Sequence, residues 1–506
     1  MAIPAARGDD EPADGPWWSR PHPLLALDLP TLEADRQYEF ASPTVGSGPT
    51  IPPLEGLGLS VAGSPSATSK SPSIRQFPGP LTTLDGAFRL QAVWRPHRAD
   101  PTPGGPGELR SKVAWANLAP DRSDEITLSL APSTPRPEAP TRILAAAQTP
   151  MWIEVESPSP LLESSGAGTN GHHAWVVFPR GYHDLAAPRR TWPAIYLVPH
   201  EGDGYAEATA LRDAIAIERA NKALPQAVWI VLDPTSPWGH HGFADSPVQG
   251  PRGTALVEEF VPELEARFRI EPTAAGRVLT GHGAGGWAAL WLLHQYPETF
   301  SSALVTSPEA VDLSRIGTVD AYGFDAFRDA DGQQRPAYRE AVAGRGEAVR
   351  TMVDQEWRLA EAASSKGRSG DRWHRLAARM SPLNESGTPR PLFDEQGTID
   401  RSLAAGTWLR YDLAAALARS PRQLVPLWDR RIEVWVGSLD ESFNDRALLS
   451  LRSLIGDLRR GLGLTREGEG QIELVSGATF DTVAIKAKPD LYESIIRRLR
   501  SAGLHD

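Results

Sequence analysis

The 506-residue chain contains no cysteine. Disulfides, thiol catalysis and Cys-ligated zinc or iron–sulfur centres are thereby excluded. It has no apolar run approaching the roughly 18–20 residues of a membrane span. It also lacks a basic block. Of 52 basic residues only six are Lys, and the formal charge is −11. That balance argues against nucleic acid as the main partner. The N-terminus has neither the basic region nor the apolar core of a signal peptide. Ala2 to Gly8, followed by Asp9 and Asp10, nevertheless looks like the tail of one. With such a leader upstream the protein would be secreted or periplasmic, and otherwise cytoplasmic. What is present is ample core material, with 41% hydrophobic residues, and much turn material, with 91 Gly and Pro residues. At about 150 residues per domain, two or three domains are expected.

Periodicity divides the chain. Residues 1–80 have little periodic pattern, and Ser42–Pro80 is rich in Ser, Pro, Gly and Thr, so a flexible segment and linker are expected. Between 81 and 150 the period is two. Phe88, Leu90, Ala92 and Trp94 alternate with Arg89, Gln91 and Val93, and Ile126, Leu128 and Leu130 alternate with Thr127 and Ser129. This predicts a small β-sandwich-like domain followed by a linker. In residues 151–506 short apolar strands alternate with amphipathic runs. The strand candidates are 174–178, 193–198, 227–232, 277–280, 302–306, 432–436 and 471–475. That alternation predicts an α/β domain, a doubly wound and mostly parallel sheet covered on both faces. Residues 313–425 interrupt it and read as an insertion over the carboxyl edge of the sheet.

One motif carries chemistry. Arg277-Val-Leu-Thr-Gly281-His282-Gly283-Ala284-Gly285-Gly286-Trp287 is a strand, a tight glycine turn and a helix start. This is the frame of the nucleophile elbow, Gly-x-Ser-x-Gly. The apex here is Gly283, which has no oxygen. A dinucleotide loop is the rival reading of a glycine-rich strand–helix turn, but the Gly-x-Gly-x-x-Gly spacing fails from Gly281.

Several stretches in 150–500 together resemble the esterase family of α/β-hydrolases that includes esterase D, feruloyl and enterochelin esterases and mycolyltransferases. They are Trp238-Gly-His-His-Gly-Phe-Ala-Asp-Ser246, Gly250-Pro-Arg-Gly253 with Val257-Glu-Glu, the elbow through Trp291, and Thr306-Ser-Pro-Glu-Ala-Val-Asp312. The N-terminal β region is similar too, through Gly86-Ala-Phe-Arg-Leu-Gln-Ala-Val93. The resemblance implies the α/β-hydrolase fold, a Ser–Asp–His triad, an acyl-enzyme and ester substrates. It places the nucleophile at Gly283, the acid at Asp440 after the strand 432–436, and the base at Phe480 after the strand 471–475. Two of the three groups are therefore absent by residue type. Of 12 His only His505 lies beyond Asp440, as the penultimate residue. Asp440 alone has no imidazole to orient. In the oxyanion hole one donor would be the Ala284 N–H. The other would come from the turn Pro199-His200-Glu201-Gly202-Asp203-Gly204, where an inward Glu201 would oppose a developing negative charge. Gly at the apex relieves the roughly 1–3 kcal/mol that a strained non-Gly backbone costs. An engineered Ser→Gly exchange would leave the histidine in place, and this chain lacks that as well.

Other residues have bland alternatives. His240, His241 and Asp245 could suggest a metal, but adjacent histidine side chains diverge, so a loop rimming the old active site is expected and no metal or cofactor. His282 reads as a packed elbow residue. Trp287 and Trp291, at i and i+4, read as core. Trp238, in a loop, is the better ligand contact, with His240, His241 and His282 beside it. The arginines of the insertion (Arg345, Arg350, Arg358, Arg368, Arg372, Arg375) read as a solvated face, with anion binding as the alternative.

Three functional readings follow. The first is a catalytically degenerate esterase-like protein that keeps a pocket near Gly283, His200, Glu201, Gly202 and Asp440 for a small ester or carbohydrate-linked ligand. The second is an active ester hydrolase with a non-standard set, such as water activated by Asp440 or Glu201. The third is a structural, partner-binding module whose pocket is filled by side chains. An open or a plugged space over Gly283 separates the first from the third.

Overall fold

The computed structural model describes residues 2–6, 24–27, 74–77, 85–94, 108–119, 126–132, 151–165, 171–184, 190–200, 204–217, 224–342, 346–363, 371–464 and 471–504. Its centre is an eight-stranded sheet. The strands are β1 (Trp152–Pro158), β2 (Gly171–Val177), β3 (Ala194–Val198), β4 (Val228–Leu232), β5 (Arg277–His282), β6 (Ser302–Thr306), β7 (Ile432–Gly437) and β8 (Gln471–Val475). Their order across the sheet is β8-β7-β6-β5-β3-β4-β2-β1. β1 and β2 are antiparallel, β2 and β4 are antiparallel, and the rest are parallel. All seven strand candidates of this region are strands, and the α/β-hydrolase expectation holds. β1 was not among the candidates. Trp152, Ile153 and Val155 alternate with acidic residues there, and it is an edge strand paired only with β2.

The parallel strands are apolar on both sides because helices cover both faces. Leu279, Val305 and Val434 face a core shared with the insertion. Val278, Leu304 and Trp435 face the opposite core, with α1 (Tyr205–Ile217) and α7 (Lys488–Ser501). Helix α2 (Gly283–Gln295) follows the elbow, and every residue from Gly283 to Leu293 is buried. A helix apolar all round belongs inside. Trp287 and Trp291 stack at 5.3 Å within this core, as expected of them.

The insertion carries a hairpin (Pro336–Val342 with Gly346–Met352), helix α3 (Val353–Ala363), helix α4 (Arg372–Met380) and several short helices. It is not a solvated cap. Trp357, Trp373, Phe393, Trp408 and Tyr411 join the main core. Helix α5 (Asn444–Gly461) and helix α6 (Phe480–Lys486) follow β7 and β8.

A second eight-stranded sheet lies N-terminal. Three of its strands, Ala2–Ala6, Leu24–Leu27 and Ile74–Phe77, come from the stretch read as a flexible segment and linker. Ala2–Ala6 pairs with Gly86–Leu90, which pairs with Ala114–Leu118. Runs of four or five residues are too short to show a period, which is why the pattern hid them. Ile126 and Leu128 pack on Phe88 and Leu90 without joining a strand. No described helix is long and apolar enough to cross a membrane.

The elbow is built on close approach. A Cβ on Gly285 would overlap the carbonyl oxygens of Val198 and Pro199, both backbone atoms that cannot yield. Gly285→Ala is therefore expected to lower stability by about 3 kcal/mol, the upper range for an overpacked core. Urea unfolding measures it, and a loss under about 0.5 kcal/mol would contradict this packing.

Candidate functional site

β5 delivers the chain to the carboxyl edge of the sheet, and His282, in extended conformation, caps α2. The next residue, Gly283, has φ +54°, the left-handed conformation that an elbow apex requires. In an esterase the nucleophilic oxygen projects from this point. Here that volume is occupied. A Cβ on Gly283 would overlap Nδ1 of His200 and stand 2.7 Å from Cζ of Phe480 and 2.9 Å from Cε1 of His200. The two rings meet edge-on at 5.0 Å, and His282 closes the group at 4.3 Å from Phe480.

The oxyanion donor is also taken. The Ala284 N–H donates to Nδ1 of His200 at 3.1 Å. That bond uses the lone pair of Nδ1, which leaves Nε2 as the donor nitrogen of the ring. Oε1 of Glu309 lies 3.9 Å from the same nitrogen. The Glu309 N–H donates to the Gly283 carbonyl at 3.2 Å, tying the loop after β6 to the elbow. Burial alone would raise the Glu309 carboxyl, but the guanidinium of Arg375, with those of Arg372 and Arg379, holds it well below the usual carboxylate range.

Phe480 is the residue at which the resemblance places the base. It opens α6, whose Thr479 and Thr482 form a reciprocal cap, and its N–H donates to the Glu441 carboxylate. The acid loop thus anchors the ring that fills the centre. His282 cannot substitute as a base. Its Nδ1 is paired with the Thr306 hydroxyl at 2.9 Å, and burial pushes its pKa down to about 3.

Asp440 is where the chain pattern places the acid, and it is fully buried. Its Oδ1 accepts the N–H groups of Ser442 at 3.0 Å and Asn444 at 3.1 Å, so the carboxylate caps the start of α5. Burial raises its pKa to about 7. The Asn444 N–H and the Ser307 hydroxyl oppose that rise, and the charges of Asp445 and Glu441 add to it. Arg339 of the insertion hairpin donates from Nε to the Asp440 carbonyl at 2.8 Å and pairs with Asp445 at 3.0 Å.

The rim residues make contacts within the chain. His240 bridges the Pro199 carbonyl (3.0 Å, from Nε2) and the Gly242 N–H (3.0 Å, to Nδ1). Nδ1 of His241 accepts the Phe243 N–H at 3.1 Å. Both are buried, and desolvation with nearby arginines lowers both pKa values well below 6.5. Trp238, expected as a ligand contact, is buried against Val248 and Ala378 under α4. Asp245 caps the turn at Gly253 and Thr254. Glu201, Gly202, Arg345, Arg368 and His505 lie outside the described residues, as does the side chain of Arg350.

The arginines of α4 correct another expectation. Arg375 pairs with both oxygens of Glu309, at 3.0 and 3.2 Å. Arg379 is fully buried, stacks on Trp287 at 4.5 Å, and donates to the His240 carbonyl at 3.3 Å. Arg372 pairs with Glu356 at 3.2 Å. Among the described ones, Arg358 keeps the solvated role, partly exposed beside Asp354. Glu309 and Arg379 are thus residues beside the elbow that the sequence pattern did not single out, and Arg375 is one that it assigned to a solvated face. The spacing of Arg372, Arg375 and Arg379 is the signal that puts them on one face of α4.

At the described centre the apex Gly283 carries no oxygen, Phe480 stands beside it, and the Ala284 N–H is paired with His200. A family model described as "Putative esterase" matches residues 167–445, more than half of the chain. No curated protein sequence matches the chain. Among solved structures the chain resembles a ferulic acid esterase (12% identity, TM-score 0.40, covering 68% of this chain and 97% of the other). It also resembles an S-formylglutathione hydrolase from Agrobacterium tumefaciens (15%, 0.37, 70% and 99%). A third is a ferulic acid esterase from Anaeromyces mucronatus in complex with ferulic acid (10%, 0.32, 70% and 92%).

Asp440 supplies a test of the site. Its carboxyl is raised from 3.8 to about 7, so the native state holds a proton that the unfolded state has lost. Its contribution to stability therefore falls as pH rises from about 4 to about 7. Asn keeps the acceptor and removes the charge. Asp440→Asn should be about 1–3 kcal/mol more stable than wild type at pH 8, with the advantage gone at pH 4. Urea unfolding at both pH values measures it. A variant less stable at pH 8 would mean that the charge is supported.

Proposed function

The chain belongs to the esterase family of α/β-hydrolases, and we propose that within it this protein is a catalytically degenerate member, a non-catalytic binding or scaffolding protein. The observation that carries this reading is the filling of the nucleophile position by His200 and Phe480, with the oxyanion N–H spent on His200. Each missing function has an internal replacement: a ring where the oxygen would be, a ring where the base would be, and an imidazole nitrogen where the oxyanion would sit.

The same observation favours a filled centre over a retained pocket. A small ester or a carbohydrate-linked ligand entering at Gly283 would have to displace two packed rings and break the bond to Ala284. Partner binding through the outer surface needs no such displacement. Hydrolysis by water activated at Asp440 is disfavoured, because that side chain is fully buried and its oxygen is committed to two backbone N–H groups. The groups of a serine hydrolase triad act as a unit. In subtilisin, removing Ser or His alone costs on the order of 10⁶ in turnover, and removing more costs little extra.

Turnover of short-chain nitrophenyl and feruloyl esters tests the proposal. Wild type, Gly283→Ser and Gly283→Ser/Phe480→His are expected to be silent, since His200 still blocks the apex and the donor. Adding His200→Gly to the double variant vacates both. One oxyanion donor is worth about 10²–10³ in turnover, so the triple variant should exceed the double by about that factor. Wild-type hydrolysis that disappears in Asp440→Asn would sink the reading.

A further inference from the structure

A second polar set lies on the far wing of the sheet. β1 and β2 pair so that Glu156 stands opposite His173 and Glu154 opposite Trp175. Side chains two apart on a strand share a face, so Glu154, Glu156 and His173 project together on the side where Trp175 packs against Tyr205 of α1. β4 flanks β2 on the other side, with Leu232 opposite Ala174, and the Asp233 N–H donates to the His173 carbonyl at 3.0 Å. Asp233 therefore meets the imidazole from the opposite side to Glu154. Nδ1 of His173 is 2.8 Å from the Asp233 carboxylate, and Nε2 is 2.8 Å from that of Glu154. Asp233 is itself fixed, accepting the Thr235 N–H at 2.8 Å and the Thr235 hydroxyl at 2.6 Å. One ligand atom from each of Glu154, Glu156 and His173 lies within 4.8 Å of the others.

We propose that Glu154, Glu156 and Nε2 of His173 form a site for a divalent transition-metal cation of the zinc or manganese class, with Asp233 orienting the imidazole. This departs from the expectation that the chain takes no metal, and it does not rest on the degenerate reading of the centre. An acidic cluster alone would not justify it. The distinguishing feature is the histidine, whose second nitrogen is held by a fixed carboxylate on another strand. Metal-ligating histidines characteristically have that arrangement, which sets the tautomer and strengthens the ligand. One imidazole nitrogen with two carboxylate oxygens suits zinc or manganese better than calcium, which takes 6–8 oxygens. Without metal the ring donates to both carboxylates. The cation replaces the Nε2 proton, which leaves to solvent, and Glu154 turns from the proton to the metal. Glu156 is exposed and Glu154 and His173 are half-buried, so an ion reaches the site from solvent and keeps water on its remaining positions.

The test uses the full chain, stripped with chelator and titrated calorimetrically with zinc, manganese and calcium chlorides. One zinc ion per chain is expected, with a melting temperature that rises with zinc concentration. Calcium should bind at least tenfold more weakly. Glu156→Gln, at an exposed position, should leave the metal-free melting temperature unchanged and weaken zinc binding at least tenfold. Asp233→Asn should weaken it about 10–100-fold, the usual cost of losing such an orienting partner. Absence of stoichiometric zinc binding overturns the proposal. So does equal binding by wild type and Glu156→Gln, or calcium binding as tight as zinc.

Discussion

The bond from the Ala284 N–H to Nδ1 of His200 is the constraint on which the rest of the centre depends. An elbow with φ +54° at its apex leaves a backbone donor aimed at the carboxyl edge of the sheet. In a working hydrolase that donor waits for a charge that exists only during the reaction. A donor left buried without a partner costs about 1–3 kcal/mol, and an internal acceptor removes that cost. Once His200 accepts this bond its ring lies over Gly283, and any side chain at the apex becomes sterically incompatible with it. Phe480 and His282 then complete an aromatic group in the remaining space.

The insertion braces this arrangement from above. Arg375 neutralises Glu309, whose backbone holds the Gly283 carbonyl, while Arg379 lies between Trp287 and the His240 loop. A guanidinium can be buried this way because its planar faces stack while its edge donates. Breaking one partner of such a buried pair is costly, since it leaves the other charge uncompensated. On the other side, Arg339 clamps the acid loop, and Asp440 caps the start of α5. Asp440 is here a structural acceptor. That explains its presence without an imidazole, because the loop needs an oxygen for the Ser442 and Asn444 N–H groups whatever the chemistry nearby.

The polar groups on the two wings of the sheet follow different rules. Around Gly283 they turn to partners on loops and helices within the chain, with His200 partly exposed. On β1, β2 and β4 they stand in a cross-strand row that remains partly open to water. The difference follows from position. β5 is central and covered on both faces, whereas β1 is an edge strand with one neighbour.

Much of the fold was legible because its signals are local. Apolar runs such as Ala227–Leu232 and Arg277–Thr280, separated by amphipathic stretches, identify strands of a parallel sheet wherever they fall. Residue type alone put a Gly with no side-chain oxygen and a Phe with no nitrogen at the positions where the resemblance places nucleophile and base. The short strands of residues 1–80 escaped because four residues carry no readable period. What the sequence could not determine was which distant side chains meet. A loop histidine at 200 can rim an open pocket or fill it, and only the approach of β3, β5 and α6 places its ring on Gly283. The arginines of α4 have the composition of a solvated face, yet the packing of α4 on α2 turns Arg375 and Arg379 inward. Residue type and periodicity are properties of the chain, whereas the occupancy of a site is a property of neighbours far apart along it.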